Sequence, residues 1–307
     1  MSSKVLAHIS LFVVALFYGA NYLVAKGLMP DVVGPSGFIV LRVTGAGLLF
    51  WILYSMNYER IEKKDLLRLF FCGLTGVAIN QLFFFNGLSN TSPVNASIIM
   101  TSNPILVLVA SAFILKSKIT SRKVSGIAIG AIGAIALLVL SSSDQSKTVS
   151  WQGDIMIFIN AMSYGIYLVI VKPLMSKYKP LTVIAWAFFF GWLVVVPVGF
   201  SQATEIEWSA LTNQHWMGIG YVIICTTFLV YLLNIFALKH VMPTVVSVYI
   251  YLQPLLAAVF AFIYAAMGGE DFTGDITWER VTCALLIFVG VYLVSTTSTK
   301  QKRTSNI

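Results

Sequence analysis

The chain has 307 residues, of which 58% are hydrophobic and only 10% are charged. A soluble globular domain carries about 25% charged residues, so this composition excludes a protein whose main solvent is water. The formal net charge of +8 comes from short basic clusters between apolar runs, a pattern that favours membrane topology signals over a nucleic-acid-binding surface.

Ten apolar runs separated by short connections follow one another along the chain. A helix needs roughly 20 mostly apolar residues to cross the hydrocarbon core of a bilayer, and these runs are of that length. Because only closed helices satisfy their backbone hydrogen bonds in lipid at such lengths, we expect an all-α membrane protein with ten transmembrane helices. The predicted spans lie near residues 6–26, 35–56, 67–88, 93–115, 123–141, 153–174, 181–201, 215–237, 243–267 and 278–297.

The basic residues are distributed unequally between the two sides that these spans define. If the N-terminus is cytoplasmic, most of the 20 Lys and Arg residues fall at inner ends and loops, whereas Lys26, Lys147 and Arg280 fall outside. Cytoplasmic loops of membrane proteins carry such an excess of positive charge. We therefore predict a multi-pass protein of the cell membrane with both termini in the cytoplasm, in contact with the lipid bilayer and not with nucleic acid.

The three cysteines give no sign of a disulfide or a metal site. Cys72, Cys225 and Cys283 all lie inside apolar runs, without a CxxC pair and without a nearby group of His or Asp. Such cysteines are typical of small packing residues. We predict neither a metal nor a cofactor.

The two halves of the chain resemble each other. A shift of 150 residues pairs Pro93 with Pro243, Ser97 with Ser247, and Pro104 with Pro254. A shift of 146 residues pairs Lys26 with Lys172. Because each half holds five helices, an odd number, the second half must enter the membrane from the opposite side, and inverted repeats of this kind are common in transporters. We predict two inverted five-helix repeats, residues 1–145 and 146–307, around a central cavity; chance similarity between apolar segments is the alternative.

These features resemble the EamA family of the drug/metabolite transporter superfamily. The segment LFYGANYLVAK is similar to the first helix of that family, and SYGIYLVIVK after Gly153-Asp154 is similar to its sixth. Arg42 in LRVTGAGLL matches the arginine of its second helix, and Pro104 and Pro254 match its prolines. The resemblance implies a ten-helix bundle whose cavity is lined mainly by helices one, three, four, six, eight and nine, and it implies transport, usually export.

Polar and aromatic side chains recur at helical spacing within the predicted spans. Polar groups in lipid are costly unless they face other helices or a wet cavity, so these side chains are the candidates for binding a substrate. Rings and neutral amides would suit a small amphiphilic solute. Helix–helix hydrogen bonding is the alternative role for each of them. The candidate substrate-binding residues are Tyr18, Asn21, Tyr22, Gln81, Phe84, Ser97, Thr101, Asn160, Tyr164, Tyr167, Tyr231, Asn234, Ser247 and Tyr251.

Two prolines and one arginine have other predicted roles. Pro104 and Pro254 each remove a backbone donor and disturb the helix one turn earlier, which predicts either a conformational role or a simple kink. Arg42 is a charge within a span, and it either bridges helices or pairs with a substrate carboxylate. No Asp or Glu lies deep within any span, so the sequence indicates no carboxylate proton relay.

Taken together, the sequence favours a secondary transporter over an enzyme. We predict alternating-access export of a small organic metabolite, an amino acid or a related amphiphile, with import or multidrug efflux as alternatives. An intramembrane enzyme would need a catalytic group, and the chain has no HExxH, no P-loop and no membrane-embedded Gly-x-Gly-Asp. A membrane sensor or assembly protein would need a soluble domain or long loop, which the short connections exclude. The sequence gives no indication of oligomeric state.

Overall fold

The computed structural model describes residues 3–29, 31–115, 121–143, 150–241, 245–246 and 249–304. Within these ranges the chain forms helices joined by short turns, and it forms no strand. In chain order the helices are α1 (Ser3–Lys26), α2 (Pro35–Met56), α3 (Lys63–Ser89), α4 (Pro93–Ile114), α5 (Ser121–Ser143), α6 (Trp151–Met175), α7 (Pro180–Thr204), α8 (Asn213–His240), α9 (Tyr249–Ala266) and α10 (Trp278–Thr304).

Eight of these helices, all except α5 and α10, are long and apolar enough to cross a membrane. Helix α5 contains a shorter apolar stretch, Val124–Leu137. The predicted all-α membrane protein is therefore confirmed, whereas membrane crossings by α5 and α10 stay predictions. Helix α3 begins at Lys63, four residues before its predicted span, because the polar first turn extends beyond the apolar run.

Large apolar side chains point outward from several of the helices. Leu48 on α2, Phe113 on α4 and Val198 on α7 have 61%, 80% and 58% of their surfaces exposed. Large contiguous apolar surfaces are rare on proteins that are surrounded by water. This outer surface is the kind that hydrocarbon chains cover in a bilayer.

Two helices change their winding at matching places. Residues Leu74–Ile79 of α3 and Ile224–Leu229 of α8 each form a π-helical turn. The two turns stand 150 residues apart, the same shift that pairs the prolines of the two halves. Single π turns occur frequently at functional sites, where they redirect the side chains that follow them.

Helices α4 and α9 restart close to their prolines. Helix α4 is interrupted at Thr101 and Ser102, and its second part begins at Asn103, immediately before Pro104. Helix α9 opens with a 3-10 turn over Tyr249–Tyr251, and its α-helical part then begins at Leu252. Proline is favoured in the first turn of a helix because its missing N–H would have no partner there. The prolines thus mark helix starts, and their role in conformational change stays a prediction.

The helices pack in a reciprocal pattern. Helix α2 packs against α7, and α5 packs against α10. Helix α1 packs against α8 and α9, whereas α6 packs against α3 and α4. The α5–α10 pair is close because glycines meet there: a Cβ added at Gly290 would lie 2.5 Å from the Gly126 carbonyl oxygen.

Two lysines cap the C-terminal ends of α3 and α8. Lys26 Nζ donates hydrogen bonds to the carbonyl oxygens of Leu88, Ser89 and Thr91 at 3.0, 2.9 and 3.1 Å. Lys172 Nζ donates to the carbonyl oxygen of Leu238 at 2.7 Å. The last carbonyls of a helix have no partner within the helix and attract cations. Each lysine at the end of α1 or α6 therefore stabilises the end of another helix.

Candidate functional site

A central cavity lies between α1, α2, α3, α4, α6, α8 and the start of α9. Its volume is about 60 Å³, which is below the roughly 300–1,000 Å³ of sites that enclose a drug-sized ligand, so a solute of that size would need the helices to move apart. Most of the candidate residues line it. They are Tyr18, Asn21, Tyr22, Gln81, Phe84, Asn160, Tyr164, Tyr231 and Asn234. Contact between these side chains and a substrate stays a prediction.

Other candidates lie away from this cavity. Ser97 and Thr101 are fully buried, and their hydroxyls donate to carbonyls of their own helix, those of Val94 and Ile98, at 2.6 Å. Tyr167 packs against the backbone of α3 at Gly76. Tyr251 packs edge-on against Phe288 of α10 with ring centroids 5.3 Å apart.

The remaining candidate, Ser247, lies outside the described residues. Its predicted role rests on the repeat, in which a shift of 150 residues pairs it with Ser97. Whether Ser247 contacts a substrate stays a prediction.

The cavity also contains residues that were not among the candidates. They include Arg42, for which the sequence leaves two roles open, and Asn80, Phe85, Met100, Tyr249 and Gln253. The repeat offered one signal for Gln253, because a shift of 150 residues pairs it with Asn103 beside the first proline. In the structure, Tyr22 Oη donates to Gln253 Oε1 at 2.8 Å and joins α1 to α9.

A polar network follows the π turn of α3 into the cavity. Tyr231 Oη donates to the Gly76 carbonyl oxygen at 2.9 Å, and Gln81 Nε2 donates to Tyr231 Oη at 3.4 Å. Asn160 Nδ2 of α6 donates to the Asn80 carbonyl oxygen at 2.5 Å. The side-chain oxygens of Gln81 and Asn160 are buried and have no hydrogen-bond partner among the described residues. Both amides therefore keep an unused acceptor.

Arg42 provides the cavity's electrostatic character. It is the charged side chain of the described lining, and it is only 4% exposed. Its Nε donates to Thr227 Oγ1, and its Nη2 donates to the Thr226 carbonyl oxygen at 3.1 Å. Both partners belong to the π turn of α8. The guanidinium carbon lies 4.7 Å from the centre of the Phe85 ring, which is the geometry of a cation–π contact.

Aromatic rings form much of the remaining wall. Tyr22 of α1 and Phe84 of α3 lie with ring centroids 5.5 Å apart, and Phe84 packs edge-on against Phe85 at 5.0 Å. Tyr18 adds a second ring from α1, and Tyr164 and Tyr231 add rings from α6 and α8. The cavity thus combines apolar ring surface with a few fixed polar groups, an arrangement that suits an amphiphilic solute.

A buried carboxylate cluster lies near the Lys26 end of α1. Asp154 Oδ1 accepts a hydrogen bond from Thr91 Oγ1 at 2.6 Å, and Asn95 Nδ2 donates to both carboxylate oxygens at 2.7 Å. All three side chains are fully buried. Because the Thr91 carbonyl also accepts from Lys26, this cluster joins α3, α4, α6 and α1 on one side of the bundle.

The other end of α1 is arranged differently. His8 Nδ1 lies 2.8 Å from Tyr249 Oη, and this pair is exposed. His8 and Lys26 are separated by about 27 Å along the helix at 1.5 Å per residue. Tyr249 also lines the cavity. The buried carboxylate cluster therefore joins helices at one end of the bundle, and the exposed His8–Tyr249 pair joins them at the other end, beside the cavity.

Comparison with known proteins agrees with this architecture. The model of the EamA-like transporter family matches residues 5–139 and again residues 151–296. A solved crystal structure aligns with 96% of this chain and 98% of its own chain, with a TM-score of 0.60 and 15% sequence identity, which shows a shared fold.

Curated relatives carry transporter names. The uncharacterized transporter YyaM of Bacillus subtilis is 25% identical over 296 residues and 94% of each chain. An uncharacterized transporter of Archaeoglobus fulgidus is 26% identical over 96% of this chain and 98% of its own. A probable terminal-alkyne amino-acid exporter of Streptantibioticus cattleyicolor is 24% identical over 55% of this chain and 56% of its own.

The family match covers nearly the whole described bundle in two parts. It confirms the resemblance drawn from the helix motifs, and with the relatives' names it favours transport over catalysis. The chain therefore belongs to the EamA-like transporter family of the drug/metabolite transporter superfamily, and it is a membrane transporter rather than an enzyme.

Proposed function

We propose that this protein is a secondary transporter that exports a small organic metabolite, an amino acid or a related amphiphile, across the cytoplasmic membrane. The observation that carries the proposal is the central cavity, in which rings, amides and one arginine meet between seven helices. Such a site binds a solute without covalent chemistry. The solute would pass through the cavity unchanged.

Alternating access supplies the proposed mechanism. The cluster of Thr91, Asn95 and Asp154 is buried at one end of the bundle, whereas His8 and Tyr249 form an exposed pair at the other end. A carrier exposes its central site to one side at a time. We assign this conformation to the state that is closed at Asp154, and the second state would close near His8 and Tyr249.

We further propose ten membrane crossings in two inverted five-helix repeats, residues 1–145 and 146–307, with both termini in the cytoplasm. The two family matches, one in each half, support this arrangement. The two π turns 150 residues apart support it independently, as do Lys26 and Lys172, which cap equivalent helices.

The proposed direction and solute class rest on less direct support. One relative is named as a probable amino-acid exporter, and the lining suits a small molecule with apolar and polar parts. Import and multidrug efflux are the competing transport functions. Flux measurements on a fixed orientation separate all three.

Flux into proteoliposomes tests the carrier function. Purified protein would be reconstituted, and uptake of radiolabelled amino acids and of a cationic dye would be compared with protein-free liposomes. We expect at least one amino acid to accumulate unmodified. The double variant Gln81→Ala/Asn234→Ala removes two cavity amides and should reduce that flux at least tenfold. Leu48→Ala on the outer surface of α2 is the matched control and should leave it unchanged.

Three results would contradict the proposal. A chemically altered product would indicate an enzyme, and flux of the dye alone would indicate multidrug efflux. Equal flux in the double variant and in Leu48→Ala would remove the cavity from the mechanism. For orientation, single cysteines at Lys64 and Glu207 should react with an impermeant thiol reagent from opposite sides, the first from the cytoplasm.

A further inference from the structure

We infer that Arg42 binds a carboxylate group of the transported solute, and that Gln81 and Asn160 accept hydrogen bonds from donor groups of the same molecule. The inference rests on the proposed function, because a carboxylate reaches Arg42 only as part of a solute that enters the cavity. It narrows the solute class to carboxylic acids that also carry hydrogen-bond donors.

The first step of the argument concerns charge. Arg42 is buried, and its two hydrogen-bond partners among the described residues, Thr227 Oγ1 and the Thr226 carbonyl, are neutral. Among the described residues no carboxylate forms an ion pair with it, and the described ion pairs join only Glu62, Lys64, Asp65 and Lys177 near the start of α3. A buried charge without a counter-charge is costly. An anionic solute group would supply the missing counter-charge.

The second step concerns the geometry of the guanidinium. Its Nε and Nη2 bonds hold it against the π turn of α8, and its central carbon lies over the Phe85 ring. Its Nη1 donates to no other described residue. Because the group is fixed by its own anchors and lines the cavity, its remaining N–H groups are pre-organised for a planar carboxylate.

The third step concerns the two amide oxygens. Tyr231 has a single hydroxyl hydrogen, which it donates to the Gly76 carbonyl, so its oxygen can only accept from Gln81. Gln81 must therefore present its NH₂ group to Tyr231. Asn160 likewise must present its NH₂ group to the Asn80 carbonyl, which can only accept. The network thus leaves both side-chain oxygens as the unpartnered atoms.

These oxygens call for a donor on the solute. Buried acceptors without a partner are rare because each loses its hydrogen bond to water. Both residues line the same cavity as Arg42. A hydroxyl, amide or ammonium group on the solute would satisfy them while its carboxylate pairs with Arg42. Cationic amines without a carboxylate would instead meet a like charge, so this site disfavours them.

A matched ligand panel tests the inference. The probes are alanine, leucine, phenylalanine, tryptophan and glutamine, each as the free acid, as its carboxamide and as the decarboxylated amine. Binding would be measured by the thermal shift of the full-length protein in detergent, since a ligand that binds only the folded state raises its melting temperature. We expect at least one free acid to bind at least tenfold more tightly than its carboxamide and amine.

Variants then assign that preference to named groups. Arg42→Gln should abolish the preference for the free acid, and Arg42→Lys should retain part of it because the charge remains. Gln81→Leu and Asn160→Leu should weaken binding of the free acid more than binding of the corresponding 3-substituted propionate, which lacks the amino group. If Arg42→Gln does not fold, Arg42→Lys and Thr227→Val are compared instead. Lysine replaces the forked guanidinium by a single ammonium group, and valine removes the Thr227 anchor of Arg42, while both variants keep the positive charge. Each should reduce the preference for the free acid, and an unchanged preference in both would overturn the inference.

Several results would overturn the inference. One such result is that carboxamides or amines bind as tightly as the acids. Another is that Arg42→Gln weakens the binding of all probes equally, which would indicate that Arg42 only bridges helices. A panel without any acid-selective binder would also overturn it. If wild-type protein in proteoliposomes transports an amide or amine, the carrier function is supported and the proposed carboxylate preference is refuted. Acid-selective binding without flux would support the role of Arg42 and refute the carrier function.

Discussion

Tyr231 Oη donates a hydrogen bond to the carbonyl oxygen of Gly76 at 2.9 Å, and this contact joins α8 to the π turn of α3. A π turn leaves carbonyl groups without their usual partners in the helix, and a buried carbonyl without a partner is unfavourable. The tyrosine therefore stabilises an irregular part of one helix from another helix.

Tyr231→Phe tests this contact. The variant removes the bond to Gly76 and the acceptor for Gln81, so we expect the free energy of unfolding to fall by about 0.5–1.5 kcal/mol. Equilibrium unfolding in mixed micelles measures the change. Tyr58→Phe is the control, because Tyr58 is 70% exposed and its hydroxyl has no described partner. Equal effects of the two variants would refute the assigned role.

Gly76→Ala tests how closely α3 and α6 approach each other. A Cβ at Gly76 would lie 2.4 Å from Cδ2 of the Tyr167 ring, which is too close for both to stay in place. Overpacking of this kind costs about 1–3 kcal/mol. Gly220→Ala in α8 is the matched control, since nothing lies within 4 Å of the added Cβ. A melting temperature in detergent that falls only for Gly76→Ala is the expected outcome, and an unchanged value would contradict the packing described here.

Asn95→Ala tests the buried carboxylate cluster. The variant removes the NH₂ group that donates to both oxygens of Asp154, and hydrogen bonds to charged groups contribute about 1.5–3 kcal/mol each. We expect a loss of that size in unfolding free energy. Ser97→Ala on the same helix should have a smaller effect, because its hydroxyl bonds only to its own helix.

The same cluster allows a double-mutant cycle. In an Asp154→Asn background the loss caused by Asn95→Ala should shrink, because the charge that Asn95 stabilises is gone. A loss of the same size in both backgrounds would show that the two side chains are energetically independent.

The ion pairs of Lys177 with Glu62 and Asp65, at the start of α3, should make stability depend on pH. The hydrogen bond from Lys177, 2.7 Å from Glu62, lowers the pKa of the Glu62 carboxyl below its ordinary value. A carboxyl with a lowered folded-state pKa stabilises the protein above its unfolded-state pKa, about 4.3. That contribution disappears as the pH falls through the lower folded-state pKa. The melting temperatures of wild type and Glu62→Gln should therefore differ at neutral pH and converge in acid.

The size of that difference should be small, because half of the Glu62 side chain is exposed and surface ion pairs are screened by salt. Glu207→Gln serves as the control, since Glu207 is exposed and forms no described ion pair. If the gap between wild type and Glu62→Gln stays constant from neutral pH to strongly acid pH, Glu62 has no stabilising partner in solution.

The sequence predicted the helices and nine of the residues that line the cavity, because both follow from local patterns. A long apolar run predicts a helix, and residues three apart, such as Gln81 and Phe84, are predicted to share one face of it. Ser97 and Thr101 are candidates because of their helical spacing, and the break after Met100 interrupts that spacing. Tyr251 lies before the point at which α9 becomes α-helical. Contact between these three side chains and a substrate stays a prediction.

The spacing of residues within one helix could not predict which distant residues pack against each other. Arg42 could be placed within a span, but its anchors at Thr226 and Thr227 lie 184 and 185 residues away. The unused oxygens of Gln81 and Asn160 likewise depend on Tyr231 and on the Asn80 carbonyl. Such relationships follow from how helices dock, which periodicity within one helix does not encode.

The π turns have one more consequence, which concerns rotation. Each turn accommodates one residue more than an α-helix would, and one α-helical residue corresponds to about 100° around the axis. If the same residues of Leu74–Ile79 were wound as a regular α-helix, Gln81 and Phe84 would therefore swing by about a quarter of a revolution relative to the first part of α3. The orientation of this wall of the cavity thus depends on the count of residues in one turn, as well as on their chemistry.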